Sequence, residues 1–392
     1  MLPNRIINNA WKSIGEHALF SFYCFFDIMN ITSCSLCCLI VTISLNGRIL
    51  IFMKLRYLIL WMMVMVFCMT SAAFAATPKP ISTIPWDKLP DTFDGQHHYL
   101  LLCIDQWNEK GRPADAKAPV NKEGHRLDRY GNTDGIVIVT LDTRSHRIML
   151  TSIIRDALIV KPGSTEDNQK FGRINYVYND SGPEALCRVI SEHLGLKIEK
   201  YILFNFSQIQ EIVSYLGGVD IELDNGEINY LHRYRVPKGS VVSLDGKHDV
   251  YNNGSHPAGV YHFNGHSAVL YMRIRKVSGN GDFMRTQRVR TVLSTLADTC
   301  RTMTWEQAQD LANNIMDNNN VTNLNLEEML QAAEYAWNLR DCTVEELRIP
   351  PEGAVHPIDF ANMSAQELDW EACRQAMASY LQNSFLVLDE ED

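Results

Sequence analysis

The sequence predicts one large α/β domain built on a central sheet. Three observations carry this expectation. Short β-rich runs alternate with longer helical ones between Tyr99 and Leu381. No repeat or obvious linker interrupts residues 90–385. Hydrophobic residues make up 46% and charged residues 21% of the 392, a balance that excludes a wholly disordered chain.

The elements follow in chain order. From Tyr57 to Ala76 runs a stretch of twenty uncharged residues behind Lys54 and Arg56. Twenty apolar residues at ~1.5 Å each match a ~30 Å hydrocarbon core. The flanking positive charge keeps that end cytoplasmic and sends residues 77–392 outside. The run ends in Ser71-Ala72-Ala73-Phe74-Ala75-Ala76, whose small residues suit signal cleavage, so a signal peptide and a membrane anchor both remain open. Residues 1–52 have neither logic. Their apolar stretch is broken by Asp27 and Asn30, and Cys34, Cys37 and Cys38 lack partners at zinc-site spacing. We read 1–52 as a doubtful extension with Met53 as the true start, 53–76 as signal peptide or anchor, 77–96 as linker, 97–385 as the folded domain and 386–392 as an acidic tail.

Within the domain, Tyr99–Ile104, Ile136–Leu141 and Arg147–Ile153 read as strands, the last two joined by a polar turn. Pro183–Leu194 reads as a helix with Pro at its first position. Tyr201–Phe206 is a strand, Ser207–Leu216 a helix capped by Ser207, and Val219–Leu223 another strand. Residues 224–260 are expected to be long loops. His266–Ile274, Asp282–Cys300, Thr304–Met316, Asn325–Asn338 and Ser364–Leu381 read as helices. Beyond residue 76 the five cysteines are widely spaced, so no dense disulfide framework is expected; one bridge among Cys300, Cys342 and Cys373 stays open.

Charge is distributed unevenly. Residues 1–76, 77–300 and 301–392 carry +3, +1 and −14. An acidic chain with such an end is a poor nucleic-acid binder, because that affinity comes largely from neutralised phosphates. The near-neutral middle nevertheless holds a basic cluster. Between Arg273 and Arg290 lie six basic residues against one acid, Asp282, which follows a glycine and would cap a helix. At about 100° per residue from Arg285, the apolar stripe Val289, Val292, Leu293 and Leu296 centres near ~30°, so Arg285 points inward. Arg290, near ~140°, is expected to face solvent. An inward guanidinium needs an anion. That anion is either an internal carboxylate, Asp282 or Asp156, or a phosphate-rich ligand of matching bidentate geometry.

A second group lies on the first strands. Asp105 ends the first, Asp134 begins the second and Arg155 ends the third. Hairpin geometry makes Asp134 and Arg155 neighbours. If the first and third strands run in the same direction, Asp105 joins them at the carboxyl end, where open α/β sheets bind ligands. Two carboxylates beside arginines suit Mg²⁺ held together with substrate phosphates, or plain ion pairs without a metal.

On these residues the chain resembles the LytR-CpsA-Psr family of cell-envelope phosphotransferases. The matching stretches are Leu101-Leu102-Cys103-Ile104-Asp105, Asn132-Thr133-Asp134, Thr151-Ser152-Ile153-Ile154-Arg155-Asp156, Arg173-Ile174-Asn175-Tyr176, Leu216-Gly217-Gly218-Val219-Asp220, Phe263-Asn264-Gly265 and the arginine-rich run from Arg273 to Arg290. They fall in the family's order over about 97–350.

The resemblance implies an αβα sandwich with a hydrophobic slot for a lipid tail. It implies transfer of a glycopolymer sugar-1-phosphate from a polyprenyl pyrophosphate carrier to a peptidoglycan hydroxyl at the membrane, with release of polyprenyl phosphate. Asp105 and Asp134 would hold Mg²⁺. Arg155, Arg173, Arg273, Arg275, Arg285 and Arg288 would grip the pyrophosphate, and Asp282 would orient arginines. Such chemistry needs positioning and charge neutralisation above all. Some positions depart from the family. Asn132 stands where an arginine is usual, Ile154 for a proline and Val289 for a glutamine. Residues 107–131 are a charged insertion whose Arg126 or Arg129 would replace the lost arginine. These departures keep two other readings open: a sensor that binds polyprenyl pyrophosphate without turnover, and a hydrolase of the same lipid-linked substrate.

Overall fold

A computed structural model of the chain describes residues 77–104, 132–252, 256–275, 277, 281–317, 321–361 and 363–386. Asp105, the insertion at 107–131 and both N-terminal segments lie outside the described residues. Among those described, no helix is long and apolar enough to cross a membrane.

The central sheet has six strands. These are β1 (Gln96–Ile104), β2 (Thr133–Asp142), β3 (Arg147–Ile153), β6 (Lys200–Asn205), β10 (Val321–Thr322) and β11 (Val344–Ile349), in the order β10-β6-β1-β2-β3-β11. β2 runs antiparallel to both β1 and β3, while β6 is parallel to β1 and β11 parallel to β3, so the sheet is mixed. β1 and β3 therefore run in the same direction. The near-continuous apolar run of β2 is buried on both faces, the mark of a central strand covered on each side.

Alternation along the strands sends side chains to two faces. Leu100, Leu102, Ile136, Ile138, Met149 and Ile153 meet α1 (Ile174–Ser181), α2 (Pro183–Leu194) and α9 (Trp370–Leu386). Leu101, Val137, Val139 and Leu150 meet α3 (Phe206–Tyr215), α5 (Gly265–Met272) and α6 (Gly281–Cys300). Ile202 and Phe204 continue that face under α7 (Trp305–Asp317) and α8 (Leu326–Asn338). This is the expected αβα layering.

Several elements differ from expectation. The helix after β6 starts one residue early, at Phe206. Its cap is Asn205, not Ser207, in a reciprocal box: Asn205 accepts from the Gln208 amide and Gln208 from the Asn205 amide, both at 2.9 Å. The stretch 224–260 is not simply loop. It contains α4 (Asn225–Arg233), closed by a similar box between Asp224 and Glu227, and β8 (Val241–Ser243), which pairs with β9 (Gly259–Phe263). β9 also pairs with β7 (Val219–Leu223), and between β3 and α1 the short strands β4 (Leu158–Val160) and β5 (Phe171–Arg173) pair with each other.

The helix expected over Ser364–Leu381 is instead a strand and then a helix. β13 (Met363–Leu368) pairs with β12 (Val355–Phe360), buries Ala365 and Leu368, and docks its Gln366 amide on the Asp156 carbonyl at 2.8 Å. Pairing partners override the helical composition of Met-Ser-Ala-Gln-Glu-Leu. The stretch 77–96, expected as a linker, lies against the domain and its last residue already belongs to β1: Ile81 and Leu89 are buried, and the Ile84 amide donates to the Glu192 carbonyl at 2.8 Å. Cys300, Cys342 and Cys373 are free thiols, so no bridge forms among them.

Candidate functional site

The register of the β2–β3 pair pins the site. Val137 lies opposite Ser152, and the same register carried three residues on sets Asp134 opposite Arg155. Arg155 donates from Nη1 to Asp134 Oδ1. Two further guanidiniums reach the same carboxylate. Arg285 Nη1 lies 3.4 Å from Oδ1, and Arg275 Nη2 lies 3.5 Å from Oδ2. Asp134 is 6% exposed and Arg285 1%, whereas the Arg275 side chain is 47% exposed and meets solvent. One buried carboxylate thus gathers arginines from the end of β3, the loop after α5 and the first turns of α6.

A second carboxylate extends the group. Asp156 Oδ1 accepts from Arg173 at 3.1 Å, and its Oδ2 lies 3.5 Å from Arg155 Nε. Arg173 also stacks over the Tyr176 ring at 4.3 Å. Arg285 therefore pairs with Asp134, and Asp156 takes Arg155 and Arg173. Among the described residues, four guanidiniums stand against two carboxylates in this cluster, an excess of positive charge that a phosphate-rich anion would offset.

The remaining arginines divide. Arg273 is exposed and stacks over Phe206 at 4.6 Å, close in sequence to Arg275 but on no carboxylate of this cluster. Arg288 is turned elsewhere. Its Nε donates to Glu227 at 2.7 Å and its Nη1 to the Ile274 carbonyl at 3.0 Å, with its side chain 2% exposed. Arg288 thereby braces the Arg273–Arg275 loop instead of joining Asp134. Arg290 corrects the expectation of a solvent-facing side chain: it is buried, donating to Glu346 at 2.9 Å and to Ser152 Oγ. The helix phase was sound for Arg285, but β11 and the end of β3 cover a second flank of α6. Asp282 lies in the first turn of α6, with its side chain outside the described residues.

Glu227 was missed by sequence reasoning, because its stretch read as loop; the Asp224–Glu227 capping spacing was the available signal. Asn175 was quoted within a motif but given no role. It is 1% exposed. Its amide donates to the Arg155 carbonyl at 3.2 Å, and its own carbonyl accepts from Thr133 Oγ1 at 3.4 Å. Its side-chain Oδ1 is buried without a hydrogen-bond partner.

That atom bears on whether a divalent cation fits. Among the described residues no three His, Cys, Asp or Glu side chains cluster as a metal site. Mg²⁺ needs few protein ligands, since it keeps waters and shares substrate phosphates. A hard carboxylate at Asp134 and an unsatisfied amide oxygen at Asn175, on a residue pinned to both neighbours of the Asp134–Arg155 pair, are donors of the right kind.

An apolar cavity of about 240 Å³ opens between the sheet and α6, its wall including Gly135 and Met272, the chain neighbours of Asp134 and Arg273. Leu101, Cys103, Val137, Phe204, Val289 and Leu296 help line it. Val289, one turn beyond Arg285, lies at its wall, so the residue standing in place of glutamine adds apolar surface there. Gly135 keeps the cavity open on the sheet side: a Cβ there would come within 3.1 Å of Cys103 Cβ and 3.6 Å of Val289.

Comparison with known proteins agrees with this arrangement. The LytR_cpsA_psr family model matches residues 94–377. The polyisoprenyl-teichoic acid–peptidoglycan teichoic acid transferase TagV of Bacillus subtilis is 26% identical over 173 residues, 43% of this chain and 39% of its own length. Biofilm regulatory protein A of Streptococcus mutans is 26% identical over 166 residues, 42% of this chain and 37% of its own. The matches to these two relatives thus span under two thirds of their length. Among solved structures, B. subtilis TagV superposes with a TM-score of 0.52 at 21% identity, covering 75% of this chain and 98% of that one. The LytR-CPS2A-psr family protein YwtF (TagT), with bound octaprenyl pyrophosphate lipid, superposes at 0.51 and 17% identity, covering 79% and 98%. At these identities the likeness establishes the fold.

Proposed function

The chain belongs to the LytR_cpsA_psr family, and on that footing we propose that it transfers the sugar-1-phosphate end of a glycopolymer from a polyprenyl pyrophosphate carrier to a peptidoglycan hydroxyl. One observation carries the reading: the arginines gathered on Asp134 belong to the same elements as an apolar cavity whose wall includes Gly135, next to Asp134, and Val289, one turn beyond Arg285. A lipid diphosphate has that polarity, a charged head on a long hydrocarbon tail. A soluble sugar diphosphate would leave the cavity without an occupant.

In this reading the tail lies along Val289 and Leu296, and the diphosphate displaces Asp134 from part of its arginine contacts. Arg155, Arg275 and Arg285 then neutralise the charge that builds on the departing phosphate, with Arg173 and Arg273 at the rim. The acceptor hydroxyl oxygen attacks the sugar-bearing phosphorus. The bridging P–O bond breaks, its electron pair leaves on the bridging oxygen of polyprenyl phosphate, and the hydroxyl proton passes to solvent. Preorganised donors around such a group are among the largest single contributions to rate. Arg288 acts at one remove, by holding the Ile274 carbonyl between Arg273 and Arg275. Asp134, with Asp105 by resemblance, would hold Mg²⁺, which when bound supplies further charge neutralisation at the diphosphate. The apolar run 57–76 would place the domain at the outer face of a membrane, beside both lipid carrier and peptidoglycan.

Lipid extraction from the purified full-length protein, followed by mass spectrometry, tests the reading. A co-purified polyprenyl phosphate or pyrophosphate is expected. Equal affinity for a water-soluble sugar diphosphate and for its lipid-linked form would contradict it.

A further inference from the structure

Asn175 occupies an unusual position in the arginine cluster. Its backbone is tied to Arg155 on one side and Thr133 on the other, the residues that flank and form the Asp134–Arg155 pair. Its Oδ1 is buried, yet accepts nothing. Buried polar atoms in native proteins are satisfied with few exceptions, and each exception calls for an absent water, ion or ligand. The two carboxylates of the cluster are engaged by guanidiniums. The amide oxygen, in the same neighbourhood, is engaged by none of them.

We infer that Asn175 Oδ1 is a ligand, direct or through one water, of the divalent cation that enters with the diphosphate. This rests on the reading proposed above and adds to it a neutral oxygen on a residue whose backbone contacts Thr133 and Arg155, on either side of the Asp134 ion pair. Hard cations accept amide oxygens as readily as carboxylates in mixed shells. With four guanidiniums against two carboxylates among the described residues, a bare dication is disfavoured there. The diphosphate reverses that balance, so cation and lipid bind with positive coupling, each raising the other's affinity by the same factor.

The test uses the full-length protein in detergent micelles, with Mn²⁺ as the probe and free Mn²⁺ read by electron paramagnetic resonance, with and without polyprenyl pyrophosphate. Mn²⁺ affinity of the wild type is expected to rise when the lipid is present. Asn175→Ala is expected to lower the lipid-dependent affinity about tenfold or more, and Asn175→Asp to restore or exceed it. Lipid binding measured in EDTA is expected to stay unchanged in both. An Asn175→Ala protein with wild-type melting and wild-type Mn²⁺ affinity would overturn the inference. Should Asn175→Ala not fold, Asn175→Asp decides: Mn²⁺ affinity below the wild-type value would overturn it. A wild type that binds lipid without any change in Mn²⁺ affinity overturns the inference alone. A wild type that binds no polyprenyl pyrophosphate overturns the underlying reading as well.

Discussion

Arg288 and Glu227 form a buried ion pair, Nε to Oε1 at 2.7 Å, with side chains 2% and 9% exposed. The pair joins α6 to the start of α4, and the Ile274 carbonyl on Arg288 Nη1 ties in the loop that carries Arg273 and Arg275. Removing one partner of such a pair strands the other charge and destabilises by roughly 3–5 kcal/mol. Arg288→Ala and Glu227→Ala should therefore each lower the melting temperature by roughly 5–8 °C. The double replacement Arg288→Met with Glu227→Leu should recover most of that loss. Calorimetry of the three variants checks this.

Arg155 and Arg285 should behave differently, since both reach Asp134 from the side open to the cluster. Each preorganised donor is worth roughly 3 kcal/mol, about a hundredfold in rate. Arg155→Ala and Arg285→Ala should each lower kcat/KM by that order. Because both share Asp134 Oδ1, the double variant should lose less than the product of the single losses. Arg290→Ala should affect stability first, because its partners are Glu346 and Ser152, outside the cluster.

The apolar cavity makes a separate prediction. Leu293 and Leu296 lie on its α6 wall and are only partly buried. Leu293→Trp should fill the cavity at modest cost, about 1–3 kcal/mol of stability. Affinity for polyprenyl pyrophosphate should fall about tenfold or more, the loss expected for a few displaced methylenes. Affinity for inorganic pyrophosphate should not change. Competition binding with the two ligands distinguishes the outcomes.

His193 predicts acid sensitivity. It is 1% exposed, its Nδ1 lies 2.7 Å from the Val189 carbonyl, and its Nε2 accepts from the Val160 amide at 3.1 Å. Burial lowers its pKa from 6.5 to about 4. The unfolded chain thus takes up this proton below about 6.5 while the folded chain does not until about 4. Stability is full above that window and is lost as pH falls through it, by roughly 1.4 kcal/mol per unit. Protonation also removes the acceptor that Val160 uses. His98, similarly lowered by burial to about 4, adds loss of the same sign. Melting curves from pH 7.5 to 5 should show the decline, and His193→Gln should flatten it.

How much of this was legible in the sequence depended on whether the signal was local. The Asp134–Arg155 contact follows from a hairpin, whose strand ends must share an edge. Arg285 follows from the phase of one helix. Arg290 did not, because its burial is imposed by β11, a charged edge strand that period-2 reading passes over. The strand at Met363–Leu368 was hidden for a related reason: its residues favour a helix, and β12 decides otherwise. Glu227 and the Asn205 cap were legible in principle, each through a side chain three residues from its cap partner. Asn175 was legible only as a motif letter. Its unsatisfied oxygen is a property of the folded chain.

The central claim is that arginines on Asp134, on the same elements as an apolar cavity, position a polyprenyl diphosphate for transfer to peptidoglycan. Its most direct test incubates the full-length protein with a lipid-linked glycopolymer, Mg²⁺ and a peptidoglycan oligomer, and identifies the products by mass spectrometry. The account predicts polyprenyl phosphate and a peptidoglycan oligomer carrying the glycopolymer through a phosphodiester, both formed about a hundredfold more slowly in Arg155→Ala. Polyprenyl phosphate formed with the polymer released to water would make the protein a hydrolase, and bound but unchanged substrate would make it a sensor. Either result would contradict the account.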